Sequence, residues 1–287
     1  MLGSFVGVSH LVDPGQEEPQ LPDELQPREH ELKIAALQWN LQSTIGLHRR
    51  FGFEITLPIR TTVIRARFND ESGAEIDNVE SIHHRNETLA GVGDLTLGGR
   101  VVAVLPDDVD GWTLALRGAL SLPTGNIEAD PFVLGEDGQV HQHMFFGSGT
   151  FDPMVGLDTR YAFDKWSLVG WGSMQLRLYE NSQGYRGSSV VGGGFGAQSA
   201  FGLERWAFML QPEVYFETAA RWAGEAARNS GRTSLLGTVG VFAFPAPQWQ
   251  INALAKIPAY TWSQGGQVRW PVVGLLGFTF TFDIDED

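Results

Sequence analysis

The chain has no cysteine in its 287 residues. That excludes disulfides and thiolate metal sites, and it fits an oxidising compartment where stray thiols are a hazard. No apolar run reaches the roughly 18 residues that a membrane-spanning helix needs. Bases are scarce, with 20 Lys and Arg against 34 Asp and Glu, for a formal charge of −14. Nucleic acid is therefore not an expected partner, because backbone phosphates call for a basic patch. Catalytic signatures are missing as well. There is no Gly-x-Ser-x-Gly elbow, and no Lys or helix follows Gly91-Val92-Gly93-Asp94-Leu95 to make it a phosphate loop. Ser148 and His143 come nearest to a nucleophile–base pair, but Gly147-Ser148-Gly149 reads as a turn, and no enzyme is expected. No basic region precedes Leu2-Gly3-Ser4-Phe5-Val6, so the expectation is a sequence without a signal peptide.

What the chain does have is long segments of period two. Trp206, Phe208, Leu210, Pro212, Val214 and Phe216 fall on one face, and Ala207, Met209, Gln211, Glu213, Tyr215 and Glu217 on the other. About twelve such strands are predicted, near 2–10, 31–47, 50–66, 92–105, 111–122, 149–163, 166–180, 188–202, 205–220, 232–245, 248–262 and 269–282. Tight turns alternate with long polar loops, the turns lying near His48-Arg49, Pro106–Asp110, Asp164-Lys165, Leu203-Glu204 and Ala246-Pro247. A mean hydropathy of −0.11 agrees with this, since a barrel mixes its apolar signal with lumen-facing polar residues. The expected fold is all-β: one up-and-down antiparallel transmembrane β-barrel with short periplasmic turns and long extracellular loops. It should span residues 1–287 as one domain in the bacterial outer membrane, with an acidic periplasmic tail at 283–287.

The apolar parity carries Trp112, Trp166, Trp206 and Trp249 just after tight turns, which predicts an aromatic girdle at one interface. Tyr179, Trp222, Tyr260 and Trp262 are expected to form the opposite girdle. The polar parity carries charges of both signs: Glu54, Arg60, Arg100, Arg117, Asp158, Arg160, Arg177, Glu213, Glu217 and Lys256. Such charges need water or a partner of opposite sign. They are read as pore-lining residues of a channel for small solutes, with outer-membrane lipid as the surroundings. Two other readings stand beside it. One is a plugged barrel that acts through its long acidic loops. The other is a metal-binding protein that uses the histidine loops. There His83-His84 and His141-Gln142-His143, on the same side of the barrel, offer imidazoles for Zn²⁺ or Cu²⁺. Otherwise no cofactor is expected.

Three phrases resemble a known family. They are Gly91-Val92-Gly93-Asp94-Leu95-Thr96-Leu97-Gly98, then Leu120-Ser121-Leu122-Pro123-Thr124-Gly125, then Gly147-Ser148-Gly149-Thr150-Phe151-Asp152-Pro153. Their order and spacing over residues 90–160 are similar to the outer-membrane channel family named for the meta-pathway of phenol degradation. The resemblance implies a barrel and a transport role. The end, Phe278-Thr279-Phe280-Thr281-Phe282, resembles the signal by which the outer-membrane assembly machinery takes up a C-terminal strand.

Overall fold

In the computed structural model, the described residues are 2–11, 29–70, 72–77, 85–106, 110–141, 144–199, 205–227, 230–263 and 272–282, with side chains from Glu31 onward except Phe132. The first elements are β1 (Leu2–Leu11), β2 (Glu29–His48), β3 (Phe51–Asn69), β4 (Glu87–Val92), β5 (Thr96–Val104), β6 (Gly111–Ser121) and α1 (Pro131–Glu136). There follow β7 (Asp152–Phe163), β8 (Trp166–Gln175), β9 (Tyr185–Arg186), β10 (Val190–Ser199) and β11 (Trp206–Glu217). Last come β12 (Arg221–Trp222), β13 (Glu225–Ala226), β14 (Arg232–Ala246), β15 (Trp249–Ser263) and β16 (Val273–Phe280).

Every pairing in the main sheet is antiparallel, and the sheet closes on itself. β1 pairs with β2 on one edge and with β16 on the other. β3 pairs with β2 along its length and faces β4 with its second half and β5 with its first. β4 and β5 thus form one stave, broken at Gly93-Asp94-Leu95. The ring then runs through β6, β7, β8, β10, β11, β14 and β15 back to β16. Counting β4 and β5 as one gives the twelve staves that the alternation predicts. Closure satisfies the backbone groups from strand to strand, which is what a sheet immersed in hydrocarbon requires.

The two faces separate as the parity predicts. Trp112, Leu116, Leu120, Leu210, Val214, Leu276 and Phe278 point outward and are exposed. Between them Ala115, Ser121, Asp152, Gln211 and Thr238 point inward and are buried. Large apolar side chains exposed all round a closed ring form a surface made for an apolar solvent.

Three local departures have physical causes. A register shift between Leu235 and Leu236 opposite Tyr260 and Pro258 leaves one residue of β15 unpaired. This bulge flips the parity, so Tyr260 and Trp262 face outward, at 56% and 53% exposure, as Ile251 and Ile257 do before it. Trp222 is not part of an outer girdle. It is 7% exposed, held in a three-stranded sheet of β9, β12 and β13 on the long-loop side and packed on Tyr185 and Phe145. Finally, the inward face of β3 turns apolar towards its long-loop end, where Ile64, Ala66 and Phe68 are buried. The lumen is not polar throughout.

Candidate functional site

The inward side chains divide the lumen into two walls and a crossing loop. On the wall built by β2, β3 and β5 to β8, many inward groups reach water. Asn40, Gln42 and Thr44 of β2 are exposed, as are Arg160 and Ser173. Arg100 and Arg117 stand directly opposite each other in the β5–β6 ladder. Arg117 Nε lies 2.7 Å from Asp158 Oδ2, both side chains being partly exposed. Arg160 Nε donates to Ser167 Oγ at 3.0 Å. Glu54 lies opposite Gly98, diagonal to Arg100.

The wall built by β10, β11, β14 and β15 is filled instead. Glu213 is 5% exposed. Its carboxylate accepts from Tyr215 Oη at 2.8 Å, Thr238 Oγ1 at 2.8 Å and Lys256 Nζ at 2.6 Å. Lys256 Nζ also sits 5.8 Å from the ring centre of Trp171 and 5.1 Å from that of Tyr215, so it gains from both ring faces. Glycines on β10 make the room. A Cβ at Gly194 would lie 2.9 Å from both Glu213 Cγ and Trp171 Nε1. Nearer the long-loop end Glu217 pairs with Arg232.

The loop between β6 and β7 folds over the first wall. Gly125 and Gly147 cross so closely that a Cβ on Gly125 would lie 2.6 Å from Gly147 Cα. Only glycine at both places allows two backbones to meet in this way. Carboxylates fix the crossing. Asp94, at the break between β4 and β5, accepts from the Gly125 amide at 3.0 Å and the Ser148 amide at 2.8 Å. Ser148 Oγ lies 2.7 Å from Asp94 Oδ2 and 2.8 Å from Asp152 Oδ2. Asp152 also accepts from Thr150 Oγ1 and pairs with Arg177. Arg60 Nη1 donates to the Phe146 carbonyl at 3.3 Å, and its Nε to Gln38 Oε1 at 2.9 Å. Beneath the crossing lies a cavity of about 460 Å³, lined by Gln38, Arg60, Phe146, Arg177 and Tyr185 among others. Burial holds the Tyr185 phenol above its ordinary range, against the pull of Arg177.

The charges singled out in the sequence therefore fall into three groups. Glu54, Arg100, Arg117, Asp158 and Arg160 occupy the hydrated wall. Glu213 and Lys256 form the buried knot, with Glu217 near by on the same wall. Arg60 and Arg177 hold the crossing loop. Sequence reasoning passed over Trp171, whose inward parity on β8 was a usable signal. Gly192, Gly194 and Gly196, all inward on β10, were the signal for the groove beside it. Ser148 is a structural knot between two carboxylates. His141 is 4% exposed, with Nδ1 2.9 Å from the Gln139 carbonyl. His83, His84 and His143 lie outside the described residues. Among the described residues no group of three or more His, Asp or Glu is placed to hold a metal ion.

No protein-family model matches this sequence, and no curated protein matches it. Among solved structures, the crystal structure of the COG4313 outer membrane channel from Pseudomonas putida F1 superposes with a TM-score of 0.59. The match covers 98% of this chain and 95% of that one, at 14% identity. The two chains share a fold. With so few identical residues, the likeness is one of fold.

Proposed function

We propose that this protein is an outer-membrane channel that passes small solutes down their gradients through a charged lumen. One observation carries the reading. Inside a closed ring with an apolar exterior, one wall presents a run of polar and charged side chains that are accessible to water. A barrel meant only as a membrane anchor gains nothing from hydrated arginines in its interior. The likeness to a solved outer membrane channel over almost the whole chain supports the same reading.

The finer features follow from it. The chain is one barrel domain with no catalytic role. Trp112, Trp166, Trp206 and Trp249, each at the start of a strand after a short turn, form the girdle at the periplasmic interface. Outer-membrane lipid covers the apolar exterior, and the Phe278–Phe282 strand engages the assembly machinery. The three phrases between residues 90 and 160 support kinship with the phenol meta-pathway channel family. In the structure, those phrases build the break between β4 and β5 and the glycine crossing. Proteoliposomes that carry the protein should swell in an isotonic solution of a small solute and stay unchanged with a large oligosaccharide. Swelling no faster than in protein-free liposomes would overturn the channel reading. Unheated protein should also run faster than boiled protein on a detergent gel, and equal mobility would count against the barrel.

A further inference from the structure

We infer that the hydrated wall is an anion track, with Arg100, Arg117 and Arg160 forming a binding site for small oxyanions (phosphate or carboxylate groups). The inference rests on the channel reading and adds the chemical class of the solute. It starts from where the acids of this wall are spent. Asp94 is taken by the Gly125 and Ser148 amides and the Ser148 hydroxyl. Asp152 is fully buried and taken by Thr150 and Arg177. Asp158 faces Arg117. What remains is three guanidinium groups, one of them paired with Asp158, against the single carboxylate of Glu54. Arg160 is exposed, and among the described residues its Nε meets only the neutral hydroxyl of Ser167. Arg100 is in no ion pair among the described residues, although Glu54 stands diagonal to it. The Arg100 Nε is buried and has no hydrogen-bond partner among the described residues.

The register makes this arrangement costly without a ligand. Arg100 and Arg117 are direct cross-strand partners, and like charges placed directly opposite repel. An oxyanion between them removes the repulsion and supplies the acceptor that Arg100 Nε lacks, in the forked geometry that guanidinium favours. Arg160, further along the same inward face towards the short turns, offers the next cation along the path. Stepped binding of this kind holds an anion firmly enough to admit it and weakly enough to let it leave.

The test uses the full chain in a detergent free of phosphate groups, so that no lipid headgroup can occupy the site. Inorganic phosphate should raise the unfolding temperature relative to chloride at equal ionic strength, by preferential binding to the folded state. The double variant Arg100→Gln/Arg160→Gln should fold, shown by heat-dependent gel mobility, and lose the shift. In a planar bilayer under a KCl gradient, the wild type should favour chloride over potassium about threefold or more, and the double variant should move towards equality. A phosphate shift that is absent, or that survives in the double variant, overturns the proposal. So does a potassium-preferring pore. Phosphate binding with no conductance at all would instead sink the channel reading and leave the anion site standing.

Discussion

Asp158 and Glu213 are both inward carboxylates, each paired with a single base, yet they live under different physics. The Asp158–Arg117 pair keeps 35% and 44% of its side-chain surface, and water shares both charges. The Glu213–Lys256 pair keeps 3% and 19%, and a hydroxyl, a phenol and two ring faces do what water does elsewhere. The difference arises on the neighbouring strands. Beside Glu213, the inward positions of β10 are glycines, so Trp171 and Tyr215 can close over the pair. Asp158 has Ala115 and Trp171 as its cross-strand partners, but the Trp171 ring serves Lys256, and Asp158 keeps its contact with water. One wall thus covers its charges by packing, and the other leaves them open to water.

The comparison breaks most visibly at Glu213. Glu213→Ala strands Lys256 in a buried site and should cost about 3–5 kcal/mol of unfolding free energy in detergent. The double replacement Glu213→Leu/Lys256→Met, apolar and of similar volume, should recover most of that loss. If the double variant is as unstable as the single one, the wall is not a packed structure. Gly194→Val pushes a side chain against Glu213 and Trp171 and should cost about 1–3 kcal/mol by overpacking. A denaturant midpoint unchanged by this variant would show that the groove is wider than described. The smallest stability effect belongs to the other wall. Arg117→Ala removes an exposed pair and should change stability by less than about 1 kcal/mol, while ion preference shifts clearly. A large loss of stability in Arg117→Ala would erase the distinction between the two walls.

Much of this was legible in the sequence. Period two and the alternation of turns with loops place nearly every stave within a few residues, because a strand that separates lipid from water has no freedom to slip by one position. The same parity puts all ten charges on the inward side. What the parity lacks is depth. It cannot say that Glu213 is covered while Arg160 is wet, because that depends on residues one and two strands away, such as Gly194 and Trp171. It also misplaces Trp222, whose loop folds into a small sheet of its own through contacts made only in three dimensions. The metal reading of the histidines meets the same limit. His141 is buried against its own loop, and nothing in the pattern of the loop foretold that.

The most direct test of a hydrated, charged lumen is ion conduction by single proteins in a planar bilayer, wild type beside Arg117→Ala. Steady ion current is expected through the wild type and an altered ion preference in the variant, with stability nearly unchanged. No current, or the same ion preference in both proteins, would contradict it.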